Sequence, residues 1–381
     1  MTKQQHLLRL PLVIIVLFTL FACSQEGVTD PVKPPAVVDT SAAQTASSAV
    51  IDMGTGFNLG NTFDLSQHST AIGDIRPVID LYIAAGMRHI RIPVTWKEGF
   101  GGNTLANAGG TVNYLHPRFL QLKAVIDYAL GKGLYVVVNA HHEHWLKDNY
   151  DASPAHDSVF TTMWRGIASY YKDYSYHLIF EVLNEPDGVF GDWNGGPTPF
   201  DAAALTLTRK INAVGYKAIR ESGGKNGERV IMLATNGQGN HSTIEEVFPA
   251  KSSLPGGGTD KYIAIQVHTY DPWSFCGENG SNNSWPGSST LISAVNKVAA
   301  HSTLLGVPIN YGEFGVGRAS NTAERNTDIV REYYRTMRLA AINKSMSVTM
   351  WDDRGWFALV AKNGGGEYDF LYSIVPAMMA P

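Results

Sequence analysis

The sequence predicts an α/β protein whose single folded domain is a (β/α)8 TIM barrel, preceded by a leader and a linker. Three observations predict it. From residue 51 onward, a short apolar run rich in β-branched residues recurs eight times, usually followed by a longer helix-like segment. Runs such as Leu134-Tyr135-Val136-Val137-Val138 show no polar alternation, which suits parallel strands covered on both faces. The open, nucleotide-binding alternative lacks its signatures: no G-x-G-x-x-G follows the first run, and no G-x-x-x-x-G-K-[ST] occurs anywhere.

The leader comes first. Lys3 and Arg9 precede an apolar run from Leu10 to Ala22, too short to span a bilayer but suited to a signal-peptide core. Leu20-Phe21-Ala22-Cys23 resembles the lipobox of bacterial lipoproteins. That resemblance implies that residues 1–22 are removed, that Cys23 is acylated, and that the product is exported and membrane-attached at the bacterial cell envelope. The mature chain would then have 381 − 22 = 359 residues and a formal charge of −4 − 2 = −6, since Lys3 and Arg9 are lost. Residues 23–50 carry Pro31, Pro34, Pro35 and many Ala, Ser and Thr without hydrophobic periodicity, so a flexible linker with a reach of roughly 30 Å is expected.

The strand runs are Met53–Asn61, Arg88–Val94, Gly133–His142, His177–Pro186, Glu228–Gly237, Tyr262–Tyr270, Val307–Phe314 and Ser345–Asp353. Between them, helices are expected over Asp74–Ala85, Pro117–Leu130, Ala155–Tyr174, Asp201–Glu221, Ser289–Ser302 and Asn321–Asn343. In the first, Ile75, Val78, Ile79 and Tyr82 fall at helical spacing. His116-Pro117, Asp201 and Asn321 supply helix-start signals. Eight such units over residues 51–381 are what a closed barrel needs.

A net charge of −4 without a Lys/Arg stripe gives no footprint for nucleic acid. Two cysteines, Cys23 and Cys276, build neither a disulfide framework nor a four-thiolate zinc site. A monomer without a cofactor is expected.

In a barrel of this kind the chemistry gathers at the carboxyl ends of the strands. Those ends carry Asn61, Arg91, His141, His142, Asn184, Glu185, His268, Tyr270, Glu313 and Trp351. Two carboxyls facing one pocket can cleave a glycosidic bond, one protonating the leaving oxygen and the other attacking the anomeric carbon. Pro186 fixes the chain just after Glu185. Gly312 and Gly315 flank Glu313, where they are expected to leave backbone room for a ligand.

Seven motifs then stand in order: Gly56-Phe57-Asn58-Leu59-Gly60-Asn61-Thr62, Arg91-Ile92-Pro93-Val94, Asn139-Ala140-His141-His142-Glu143, Phe180-Glu181-Val182-Leu183-Asn184-Glu185-Pro186, His268-Thr269-Tyr270, Gly312-Glu313-Phe314-Gly315 and Trp351-Asp352-Asp353. With them, residues 51–381 resemble glycoside hydrolase family 5, the cellulase-type retaining enzymes, and especially its endoglucanase and xyloglucanase members. The resemblance implies Glu185 as acid/base and Glu313 as nucleophile. It implies Arg91 and Tyr270 as partners of the nucleophile, Asn184 as a contact to the sugar 2-hydroxyl, and His141 and His268 as walls of the reacting subsite. Trp351 would be its platform, and Asn61, Asp64, His142 and Trp285 further sugar contacts. The substrate implied is a β-glucan polysaccharide or oligosaccharide, cut internally at β-1,4 bonds. Xyloglucan, mixed-linkage glucan and mannan are alternatives within the family. The Asp352-Asp353-Arg354 segment departs from the Asp-Asn-Gly common in the relatives this sequence most resembles.

Three physical expectations follow. Arg91 should lower the pKa of Glu313, and burial together with the charge of Glu313 should raise that of Glu185. In a retaining enzyme the two carboxyls should stand about 5–5.5 Å apart. Trp96, Trp145, Trp193, Trp273, Trp285, Trp351 and Trp356 fall near strand ends, where rings can cover sugar faces, whereas Trp164 lies within a helix. Two rival readings make distinct demands. A metal hydrolase would use His142 and His144, two apart on a strand, but lacks further Asp or His ligands at later strand ends. A glycan-binding lipoprotein without turnover would need one of the two glutamates replaced.

Overall fold

The computed structural model describes residues 42–381. The signal segment, Cys23 and the linker as far as residue 41 lie outside the described residues.

Eight parallel strands close into a barrel in sequence order: β1 Thr55–Asn58, β2 His89–Ile92, β3 Tyr135–Asn139, β4 Leu178–Glu181, β5 Ile231–Ala234, β6 Ile263–Thr269, β7 Ile309–Phe314 and β8 Ser347–Met350. β1 pairs with both β2 and β8, which completes the ring. Every residue of these strands is buried, as the unbroken apolar runs require. The eight expected runs thus all contain a barrel strand.

The helices are α1 Ala46–Met53, α2 Ile72–Ala84, α3 Pro117–Gly131, α4 His144–Lys147, α5 Pro154–Tyr170, α6 Ala202–Arg220, α7 Ile244–Val247, α8 Trp273–Cys276, α9 Ser288–Leu305, α10 Asp328–Ile342 and α11 Ile374–Met379. In α2 the spaced residues Ile75, Val78, Ile79 and Tyr82 are the buried ones, so the periodicity faces the barrel wall. His116 caps α3 by accepting from the Arg118 N–H. The segment expected as one helix over Asn321–Asn343 is broken. Asn321 caps a short 3-10 turn, Thr322–Arg325, and Thr327 then caps α10 separately. An antiparallel hairpin, β9 Val360–Lys362 with β10 Tyr368–Phe370, lies between β8 and α11.

The linker expected to run to residue 50 ends sooner. Ala46, Ala49, Val50 and Met53 repeat at helical spacing, and Thr45 caps them by accepting from the Ser48 N–H. These four apolar side chains pack with Tyr135, Val137, Ile179, Val230, Met232 and Ala264 at the amino ends of the strands. The Ala46 N–H donates to the Lys261 carbonyl, 2.9 Å away, just ahead of β6. A helix thereby closes the barrel pole opposite the strand carboxyl ends.

Candidate active site

The carboxyl ends of the strands surround an open cavity of about 800 Å³. Its lining includes Asn61, His141, His142, Glu185, His268, Tyr270, Glu313 and Trp351, so the structure brings together eight of the residues singled out in the sequence. Arg91 and Asn184 lie beneath it, fully buried.

The floor is a charged network anchored on β2. Arg91 Nη1 donates to Glu313 Oε1 at 2.7 Å and to Asn58 Oδ1 at 2.8 Å. Its Nε and Nη2 donate to the two carboxylate oxygens of Glu181 at 2.6 and 2.8 Å, and Nη2 also reaches Asn184 Oδ1 at 2.6 Å. Glu181 accepts further bonds from Asn139 (3.0 Å) and Gln266 (2.7 Å). Asn58 donates to the Gly312 and Met350 carbonyls, tying β1 to β7 and β8. A buried ion pair of this kind is tolerated because nearly all of its hydrogen-bonding capacity is met.

Sequence reasoning did not assign roles to Glu181, Asn58, Asn139 and Gln266. A signal was available: a glutamate and a glutamine inside otherwise apolar, two-face-buried strands demand polar partners.

Gln266 also corrects the expectation about Gly312. A Cβ on Gly312 would stand 1.9 Å from Gln266 Nε2. The missing side chain therefore makes room for glutamine, which braces Glu181, rather than for a ligand.

The two glutamates face each other across the cavity. Oxygens of Glu185 and Glu313 and a nitrogen of His268 lie within 4.8 Å of one another. His268 Nδ1 is 2.9 Å from Glu185 Oε1 and 3.7 Å from Glu313 Oε2. Tyr270 donates its hydroxyl to Glu313 Oε2 at 2.9 Å. Glu185 holds a left-handed backbone, φ +43°, which costs an L residue about 1–3 kcal/mol and sets the direction of its side chain.

Burial pushes the Glu185 carboxyl up to about 7; Lys147 and Arg91 oppose the shift and Asp187 adds to it. Burial acts as expected, whereas the charge of Glu313, expected to add to the shift, is not among its leading causes. Lys147 is itself buried, with Nζ 3.7 Å from Asp187. Glu313 is also raised, chiefly by burial, with Glu185 adding to the shift while His268 and Arg91 oppose it. The expected lowering by Arg91 therefore does not prevail. The guanidinium already holds Glu181 through two bonds, and much of its charge is spoken for. His268 is lowered by burial to about 4 and is neutral at pH 7.

The wall that bears His141 and Trp351 has its own order. The His141 and Trp351 rings are parallel, 6.1 Å apart. Asp64 is buried behind His141 and His142, with Oδ2 4.0 Å from an Nε2 of each, and it accepts from the Asn61 N–H at 3.1 Å. Burial raises its pKa to about 7. Asp64 thus positions cavity residues from behind and is not itself part of the lining.

Trp285 departs from its assignment. It packs against Phe275 and Tyr333, centroids 5.1 and 5.7 Å apart, and the cavity lining carries Trp193 and Trp273 instead. Trp96 is fully buried, donating to the Asn139 carbonyl, and Trp164 is core, as its helix position implied.

Asp64, His141 and His142 bring ligand-type atoms within 4.8 Å, as a metal would need. The tautomer of His141 argues against it. Asn139 Oδ1 accepts from the Val94 N–H, so Nδ2 must donate to His141 Nδ1 at 3.1 Å. The His141 proton then sits on Nε2, the atom facing Asp64, where a metal would need a lone pair. His144 is committed to Glu98 at 2.9 Å. Glu143 accepts from the Trp96 N–H and the Trp145 indole N–H, bracing two loops.

A family model described as "Cellulase (glycosyl hydrolase family 5)" matches residues 51–354. The chain is 32% identical over 342 residues to Endoglucanase A of Clostridium longisporum, covering 84% of this chain and 61% of that one. It therefore spans less than two thirds of that relative's length. It is 29% identical over 357 residues to Endoglucanase 1 of Ruminococcus albus, covering 88% of this chain and 79% of that one. Among solved structures, a GH5-4 broad specificity endoglucanase from Clostridium longisporum matches with a TM-score of 0.71 at 26% identity, over 89% of this chain and 98% of that one.

Proposed function

Because the chain belongs to glycosyl hydrolase family 5, the cellulase family, we propose that it is an endo-acting β-1,4-glucanase working with net retention. One observation carries the reading: half-buried Glu185, just after β4, and buried Glu313, on β7, present oxygens within 4.8 Å across a cavity open to a polymer. That spacing suits direct attack by one carboxylate, as in a retaining enzyme.

Glu313, held by Arg91 and Tyr270, attacks the anomeric carbon as the bond to the leaving oxygen breaks. Glu185, protonated near neutrality, gives that oxygen its proton. The resulting glycosyl ester removes the charge of Glu313. Glu185, now a carboxylate, takes a proton from water, which attacks the same carbon and releases Glu313. Neutral His268 sits between the two carboxyls and tracks the proton on Glu185. Trp193, Trp273 and Trp351 offer planar faces to pyranose rings, and the endoglucanase relatives support a β-1,4-glucan chain as substrate. Product analysis on cellulose-type glucan, xyloglucan, mixed-linkage glucan and mannan, with the anomer formed first read by NMR, tests both parts. Release of α-anomer first, or attack on mannan alone, overturns the reading.

We further propose that the enzyme is a monomer tethered to a membrane of the bacterial cell envelope by lipid on Cys23. The support is the basic start, the apolar run and the Leu-Phe-Ala-Cys ending. Intact-mass analysis of the membrane fraction should show a diacylglyceryl-cysteine terminus, lost in Cys23→Ala. An unmodified, freely soluble product would refute the anchor.

A further inference from the structure

Resting on the glucanase reading, we propose that Arg354 is a positioning residue that locks the loop after β8 to the loop after β1 and so fixes the sugar platform beside the nucleophile. The backbone at Arg354 is left-handed, φ +51°, a conformation glycine would adopt without strain. An arginine there costs folding free energy, and its side chain is used. Nη2 donates to the Thr62 hydroxyl and reaches the Gly60 carbonyl at 3.4 Å.

Those two residues flank Asn61, which lines the cavity and is also left-handed, φ +54°. Gly60 in turn supports Trp351. Its N–H donates to the Asp352 carbonyl at 3.0 Å, and a Cβ there would stand 3.0 Å from the Trp351 ring. The two loops meet again where His68 Nε2 lies 2.7 Å from the Asp353 carbonyl oxygen. From behind, Arg118 donates to the Thr62 carbonyl, and Tyr82 donates to Asp352 Oδ2 at 2.6 Å.

Trp351 and Asn61 therefore share one wall, and Arg354 grips it through the buried Thr62 hydroxyl and the Gly60 carbonyl. Arg354 makes no contact with Glu185 or Glu313 in this arrangement. Loosening it should blur where the sugar rests before it alters bond cleavage.

Three variants test this with cello-oligosaccharides in the full-length enzyme: Arg354→Gly, Arg354→Lys and Thr62→Val. Arg354→Gly relieves the backbone strain, so the melting temperature should hold or rise. KM should nevertheless increase about fivefold or more through the freed wall, with kcat within about twofold. Arg354→Lys keeps a cationic donor and should recover part of KM. Thr62→Val removes the hydroxyl acceptor and should raise KM in the same direction. Combined with Arg354→Gly it should add less than its separate effect, since both break the Arg354–Thr62 bond, while Thr62→Val alone also loses the hydroxyl's 3.0 Å bond to the Gly60 carbonyl.

An unchanged KM in Arg354→Gly overturns the proposal. So does a fall in kcat at constant KM, or full additivity of the two changes. If Arg354→Gly does not fold, Thr62→Val alone decides by the same KM criterion. A wild-type enzyme inactive on every β-1,4-glucan would instead defeat the underlying functional reading.

Discussion

At the closed pole of the barrel, Ala46, Ala49, Val50 and Met53 meet Val137, Ile179, Val230, Met232 and Ala264. At the mouth, Arg91, Glu181, Asn139, Asn184 and Gln266 are as deeply buried, yet every one is polar or charged. Left-handed non-glycine residues also gather there, with Asn61, Glu185, Gln238 and Arg354 all on the mouth side. One pole is stabilised by removing apolar area from water, and the other bears desolvation and backbone strain to hold chemistry in place. The difference teaches that burial alone does not separate core from catalyst. Which groups need partners does.

The largest effect is expected at Glu313, the proposed nucleophile. Glu313→Ala should lower kcat on a soluble glucan by about 10⁴-fold or more while sugar binding persists, read by kinetics and calorimetry. Retained turnover would remove Glu313 from its role. Glu181→Ala comes next, because it leaves Arg91 short of its bidentate partner. A stability loss of about 3–5 kcal/mol by denaturant titration, together with reduced kcat, is expected. At the closed pole, Met232→Ala should cost about 2–4 kcal/mol of stability and leave kcat/KM unaltered; a matching loss of activity would mean the poles are coupled.

The pH profile sharpens the mouth. As the proposed acid, Glu185 would have to be protonated, and its pKa is raised to about 7, so kcat/KM should fall as pH rises through that value. Lys147 lowers the Glu185 pKa, so Lys147→Met should move this limb to higher pH. A limb that stays in place would show that Lys147 does not act on Glu185. The smallest effect belongs to the cap of α1. Thr45→Ala removes the bond from the Ser48 N–H and should cost about 0.5–1 kcal/mol in thermal unfolding, with no kinetic change.

Much of this was legible from the residues. The barrel followed from repeated strand runs because strands buried on both faces leave an unmistakable apolar signature. Most strand-end residues could be named because polar groups closing such runs stand out. The bracing layer was harder to read, since Glu181 and Gln266 lie inside strands and their partners come from other units of the chain. Trp285 misled because proximity to a strand end does not reveal which way a ring turns. Helix α1 was hidden by an Ala/Ser-rich composition that resembles a linker, although its 46, 49, 50, 53 spacing was helical throughout. Gly312 was read as space for substrate, and only the packed neighbour shows what fills that space.

The position of α1 bears on how the enzyme meets a polymer. The chain reaches the barrel beside Lys261, at the end facing away from the cavity. Among the described residues, α1 thus lies at the opposite end from the cavity. No residue of α1 lines the cavity, so this helix leaves its opening uncovered, as the proposed cutting of internal bonds requires.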